Sequence, residues 1–209
     1  MRILAAAIVA SLAVGVGPAA LALDAEIPPA STPSTRQTGP GIAVNPLSRE
    51  ERLDALFQTL STAKDANAIQ ETEREIVGIW LESGSDTVDL LMRWALEAID
   101  GKEYPLALDY LDRITTLEPK YVEGWNKRAT VYFLIDDYGK AIADIERVLA
   151  LEPRHFGALS GLGTILRDLG EDGRALNAYR AALSYDPHMD NVRKAIDDLE
   201  AKGTDGRDI

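Results

Sequence analysis

From residue 48 onward, apolar residues recur every three or four positions, the spacing that gathers them on one face of an α-helix. The first run follows Ser48, with Glu51 placed to complete a capping box, and carries Leu53, Leu56, Phe57 and Leu60. A second helix is predicted over 65–82, with Ile69, Ile76, Ile79 and Trp80 on its apolar side and Gly84 closing the connection. From residue 88 to 189 the pattern itself repeats. Leu91, Trp125 and Leu159 stand 34 residues apart, as do Ala107, Ala141 and Ala175, and Pro119, Pro153 and Pro187. A 34-residue period holding two helices predicts a solenoid, because such a unit cannot bury its apolar face alone and must stack on its neighbours. A last helix is predicted over 190–202, with Val192, Ile196 and Leu199 on one side and Arg193, Lys194, Asp197, Asp198 and Glu200 on the other. Gly203 is expected to end it and 204–209 to form a tail.

Each repeated marker has a steric reason. Ala95, Ala129 and Gly163 on the first helix of a unit are placed to face Ala107, Ala141 and Ala175 on the second. Small side chains there let the axes approach, and a larger group overpacks the crossing by roughly 1–3 kcal/mol. Each proline pushes the preceding residue out of the α region, so Glu118, Glu152 and Asp186 are predicted helix ends. Gly101, the pair Asp136-Asp137, and Gly170 mark the turns inside the units.

These residues resemble the tetratricopeptide repeat family. The units 88–121, 122–155 and 156–189 carry its large apolar residues at Leu91, Trp125 and Leu159, and again at Leu111, Ile145 and Tyr179. They also carry its small residues and its proline. Arg128 departs from the pattern, standing where Trp94 and Leu162 stand in the other units, and is expected to snorkel or to find a local partner. The resemblance implies an all-α fold, a right-handed superhelical solenoid. The helices of 47–84 resemble a degenerate repeat: Phe57 and Leu60 are in phase, but Glu73 occupies a small-residue position. They are expected to form a divergent leading repeat or a cap, since terminal units meet water on one face.

In this family the first helices line a concave face that binds protein segments. Carried onto this chain, that face offers Met92, Leu96 and Ile99, then Asn126, Thr130 and Phe133, then Ser160, Thr164 and Arg167. The flanking positions hold Asp89, Asp100, Glu123, Leu134, Gly157 and Asp168. Asn126 is suited to hold a peptide backbone through its amide. Met92 and Phe133 suit an apolar side chain, and Arg167 suits a carboxylate. Family members that grip acidic chaperone tails use a basic clamp; here Met92, Leu96, Asn126, Gly157 and Gly161 occupy those positions, so that ligand is not expected. The competing reading is that Met92, Leu96 and Phe133 are core, covered by the helices of 47–82 or by the final helix.

Composition narrows the function. The 209 residues carry a formal net charge of −12, which disfavours nucleic acid and direct adhesion to anionic membranes. Cysteine is absent, so disulfides and thiolate metal sites are excluded. The two histidines, His155 and His188, fall at successive unit junctions rather than together, which argues for packing over metal binding. No nucleophile elbow, zinc-protease or phosphate-loop motif is present, so no enzyme activity and no cofactor is expected. Residues 1–22 have a basic start at Arg2, an apolar run, a break at Gly17-Pro18, and Ala20-Leu21-Ala22 as a cleavage site. That order predicts a secretory signal. An uncleaved membrane anchor is the alternative, against which Gly15, Gly17 and Pro18 argue. Residues 23–46, rich in Pro, Ser, Thr and Gly, are expected to be a disordered linker. The expected function is a non-catalytic protein-interaction module in the cell envelope, gripping a peptide or helix of a partner; a self-associating scaffold is the alternative.

Overall fold

The computed structural model describes residues 47–205. The predicted signal, the linker as far as residue 46, and the last four residues of the tail lie outside them. Among the described residues there are nine α-helices and no strands: α1 (Arg49–Thr62), α2 (Ala66–Leu81), α3 (Asp86–Asp100), α4 (Tyr104–Leu117), α5 (Val122–Leu134), α6 (Tyr138–Leu151), α7 (Phe156–Asp168), α8 (Asp172–Tyr185) and α9 (Asp190–Asp205). None is long and apolar enough to cross a membrane. The hairpins α3–α4, α5–α6 and α7–α8 stack in chain order, and α9 packs on α8. Ser48 and Glu51 form the capping box, Asp65 caps α2, and α4, α6 and α8 end at Glu118, Glu152 and Asp186. One end differs from expectation: α9 runs through Gly203 to Asp205. Glycine within a helix costs about 1 kcal/mol relative to alanine but does not forbid the conformation.

The turns inside the hairpins repeat at the same 34-residue step. Lys102, Asp136 and Gly170 have φ of 59°, 61° and 77°. The amides of Glu103, Asp137 and Glu171 donate back to the carbonyls of Ala98, Tyr132 and Leu166 at 2.8, 2.9 and 2.8 Å. This left-handed closure returns the chain antiparallel while satisfying carbonyls the helix end leaves free. Gly101, expected to make the first turn, is right-handed with φ −72°; Lys102 takes the left-handed position instead. The two hydrogen bonds around it outweigh the roughly 1–2 kcal/mol that a side chain costs there.

Small residues close the crossings as anticipated. Ala95, Ala107, Ala141 and Ala175 are fully buried and Ala129 nearly so. Gly163 has a more specific task. A Cβ built on it would lie 2.5 Å from Cδ1 of Tyr179, on the facing α8. The other two hairpins place Leu111 and Ile145 where Tyr179 stands, against Ala95 and Ala129. The larger ring is matched by the smaller partner. Arg128 does find a local partner. Its Nε and Nη2 donate to Asp144 at 2.8 and 2.7 Å, and its Nη1 donates to Asp112 at 2.8 Å and to Thr115 at 3.0 Å. It thereby ties α5 to both α4 and α6.

The N-terminal hairpin does not take the place ahead of α3. Instead α2 packs on α5, and the apolar sides of α1 and α2 close over Phe156, Tyr185 and Met189. Trp80 stacks on His155 at 4.1 Å, and Phe57 sits edge-on to Phe156 and Tyr185 at 6.4 and 6.3 Å. Polar ties follow the same edge. Arg154 pairs with Asp54, the Tyr121 hydroxyl donates to the Leu81 carbonyl at 3.0 Å, and His188 Nε2 donates to the Leu60 carbonyl at 2.9 Å. The partners Tyr121, His155 and Met189 are themselves 34 apart, at the junction where one unit passes to the next. The hairpin therefore lies across the row of junctions.

Glu73 sits in this interface beside Asp186. Burial first, then the Asp186 carboxylate, raises its pKa above the ordinary 4.5. Burial likewise raises Asp186. A carboxyl that holds its proton more firmly folded than unfolded destabilises the fold when ionised. That penalty is full above the raised value and disappears as the pH falls to about 4.5. Glu73→Gln keeps a donor for Asp186 and removes the charge. The variant should melt higher than wild type at pH 7, with the gap closing on titration to pH 4; identical melts at pH 7 would contradict the assignment.

Candidate peptide-binding face

The nine candidate residues form three rows of one residue per hairpin, running along α3, α5 and α7. The row nearest the helix N-termini is Met92, Asn126 and Ser160; the next is Leu96, Thr130 and Thr164; the third is Ile99, Phe133 and Arg167. Their exposure differs by row. Met92 and Ser160, in the first, are only 4% and 3% exposed with Asn126 half-buried between them, whereas all six residues of the second and third rows are half-buried. Met92 packs in the first hairpin's core with Val88, Leu91 and Val131. Two residues proposed as contact surface are thus interior. Their row borders the N-terminal ends of α5 and α7, where the α1–α2 hairpin docks.

Asn126 is also committed. Its amide donates to Glu123 Oε2 at 3.0 Å and is not available to hold a peptide backbone without losing that bond. Glu123 is 2% exposed and is the centre of a cluster that sequence reasoning missed. Its other oxygen accepts from His155 Nε2 at 2.9 Å, and Lys127 lies 3.4 Å away. The Ala158 amide donates to His155 Nδ1 at 3.0 Å, which places the ring proton on Nε2, facing Glu123. Burial alone would raise the Glu123 pKa. Lys127, His155 and Asn126 outweigh it and hold the carboxyl well below the usual range. Both carboxylate oxygens of Glu123 and both ring nitrogens of His155 have partners, so the cluster joins α5, α7 and the stacked Trp80 rather than offering a reactive group. The signal available in the sequence was a charged residue at a second position of one unit and a histidine at the next junction, a separation too long for any local motif.

The second and third rows keep an open strip. Leu96 and Ile99 begin it, packed at their base on the first hairpin's core. Thr130 donates to the Asn126 carbonyl at 2.9 Å, and Phe133 stacks on Tyr138 at 5.9 Å. Thr164 bonds the Ser160 carbonyl and the Tyr179 hydroxyl, at 3.1 and 3.2 Å. Arg167 pairs with Asp168 at 3.3 Å, so its charge is partly spent. Leu134, beside Phe133, is 42% exposed and extends the apolar part. A strip of this kind can take apolar side chains and lay a segment across three parallel helices. It presents no nucleophile, and among the described residues no group of histidine, aspartate and glutamate could hold a metal ion.

Comparison with known proteins agrees with the repeat geometry. A tetratricopeptide repeat family model matches residues 122–155 and 157–189, which are the second and third hairpins. A TPR repeat-containing protein of Rhizobium etli is 43% identical over 155 residues, spanning 74% of this chain and 76% of its own. Among solved structures, the Sgt2 TPR domain from Aspergillus fumigatus is 22% identical with a TM-score of 0.55, over 59% of this chain and 83% of that one. The TPR2B domain of yeast Sti1, solved in complex with an Hsp70 peptide, is 21% identical with a TM-score of 0.52, over 58% and 99%. MamA is 22% identical with a TM-score of 0.53, over 68% and 86%. At these identities the solved structures show a shared fold. The three stacked hairpins, their 34-residue closures and the extensive identity to the Rhizobium protein make this chain a member of the tetratricopeptide repeat family.

Proposed function

We propose that the protein is a non-catalytic interaction module of the bacterial cell envelope that takes an apolar peptide or helix of a partner protein on the strip of Leu96, Ile99, Thr130, Phe133, Thr164 and Arg167. The observation that carries this reading is the division of the concave side. Its first row has buried Met92 and Ser160 on either side of a half-buried Asn126 whose amide is committed to Glu123, while its second and third rows stay half-exposed with Leu134 beside them. Those rows run from aliphatic at α3 to polar at α7, which favours a ligand whose apolar residues lie over the first two hairpins. Repeat domains of this family act as interaction modules, and relatives have been solved with bound peptides. The envelope location rests on the signal-like order of residues 1–22.

The test uses the full chain in its native host with a photocrosslinking residue at Leu134. Expected is one discrete adduct of higher mass in the periplasmic fraction. Phe133→Ala should lower its yield roughly tenfold, as for loss of an aromatic anchor. A crosslinker at Glu146, on the exposed side of α6, should give none. Equal adducts at both positions would overturn the strip as the binding face, and an adduct confined to the cytoplasmic fraction would overturn the location.

A further inference from the structure

Among the described residues the first hairpin ends the solenoid with no helix stacked against its outer side, and its residues are those of a covered surface. Corresponding positions make the point. Gly124 of α5 is so close to α4 that a Cβ would meet Ile114 at 2.7 Å, and Ala158 of α7 is 2% exposed. The matching residue of α3 is Leu90, half-buried. One turn on, Arg128 is bonded to Asp112 and Thr115 of α4, and Leu162 packs between the cores of the second and third hairpins. The matching residue of α3 is Trp94, 42% exposed. In the later hairpins this stripe receives the second helix of the hairpin before. Here α2 lies on α5 instead, and the stripe is left with a leucine and a tryptophan. On α4, Leu106 and Leu117 are 40% and 56% exposed, and the Tyr110 ring lies 5.7 Å from Trp94. Trp94, Leu106 and Tyr110 line a shallow cleft with Ala98, rimmed by Glu97 and Glu103.

We propose that this end face binds a second copy of the chain, α3 antiparallel to α3, in a two-fold dimer. Two observations select that occupant. The opposite end of the solenoid is closed by α9, whose outer positions Arg193, Lys194, Asp197 and Asp198 are exposed and charged. Head-to-tail stacking would bury those charges, so the apolar end is left to meet its own kind, which closes as a dimer. The charges flanking Trp94 are also self-complementary. Arg93 and Glu97 take part in no ion pair among the described residues and lie on either side of Trp94 along α3. A two-fold axis crossing α3 midway between them sets Arg93 of each copy opposite Glu97 of the other, with the two Trp94 rings at the centre. The face is on the outer side of α3 and α4, apart from the strip containing Leu96 and Ile99, so dimerisation and the proposed partner binding are compatible and fail independently.

Sedimentation of the full chain over a concentration series tests it. Wild type is expected to pass from monomer to dimer. Trp94→Glu should weaken the dimer about 30-fold or more, the effect of losing a central aromatic contact. Arg93→Glu should weaken it as well, by setting like charges face to face. The double variant Arg93→Glu with Glu97→Arg should restore the dimer, which only a two-fold pairing allows. All of these positions are exposed, and circular dichroism melts at a concentration where wild type is monomeric should match wild type. A wild-type monomer at every concentration, a Trp94→Glu chain that dimerises as wild type, or a double variant no stronger than Arg93→Glu would overturn the proposal. So would a monomer that holds a helix of another protein at Trp94.

Discussion

Trp80→Ala should cost about 3–5 kcal/mol, the range for deleting a fully buried tryptophan. Trp80 is 1% exposed, stacks on His155 at 4.1 Å and meets Phe156 at 5.2 Å. It is the residue of α2 that reaches the junction between the second and third hairpins. The loss should be uneven. Helices of 14 and 16 residues are marginal alone in water, so α1 and α2 should lose amide protection when undocked. The stacked hairpins α5–α8 should keep theirs, because their crossings do not use Trp80. Chemical denaturation gives the first number and hydrogen exchange the second. A loss under about 1 kcal/mol, or exchange that accelerates evenly along the chain, would show that the hairpin is not held through this contact. The variant also bears on function. Asn126 and Ser160 belong to the row beside the docked hairpin, and releasing it should lengthen the open strip towards the N-termini of α5 and α7.

Gly163→Val should cost about 3 kcal/mol, the upper end of the overpacking range. Its Cβ would fall 2.5 Å from a ring carbon of Tyr179, which is 1% exposed and bonded through its hydroxyl to Thr164. Neither side can give way: one is helix backbone and the other a buried ring held at its far end. Shortening the ring should reverse the sign. In a Tyr179→Leu background, Gly163→Ala rebuilds the Ala95–Leu111 arrangement of the first hairpin, and alanine's helix propensity should then add up to about 1 kcal/mol. A double-mutant cycle measures the coupling. Gly163→Val within about 0.5 kcal/mol of wild type would mean that the two helices are farther apart than the structure places them.

Much of the site's fate was decided by one packing event. The rows shared by the first helices were legible from their spacing, because helix periodicity places Met92, Leu96 and Ile99 on one face and the 34-residue step copies that face onto α5 and α7. Which of them meet solvent was not legible. Asn126 carries a free-standing amide in the sequence and a committed one in the structure, since its acceptor Glu123 is buried by contacts with residues far along the chain. Glu123 and His155 are 32 residues apart, Trp80 lies further still, and no local pattern links the three. The turn at Lys102 was mislocated by one residue for a smaller reason. Glycine marks a turn by its tolerance, but the left-handed position is chosen by the hydrogen bonds of Lys102 and Glu103 to the preceding helix.

The sequence by itself determined the helices, the proline-marked ends of α4, α6 and α8, and the stacking of three hairpins, because period, small residues and proline are each enforced by sterics within one unit or between neighbours. Tertiary structure decided where the first hairpin goes. An amphipathic pair must bury its apolar sides, yet that requirement does not say against what: the row of junctions at Tyr121, His155 and Met189 offered rings, a hydroxyl, an imidazole N–H and an arginine together, and among the described residues the outer stripe of α3 was left uncovered. Burial is non-directional and is satisfied by any apolar surface of the right shape, so which surfaces of this solenoid remain open for partners follows from that docking and not from the repeat.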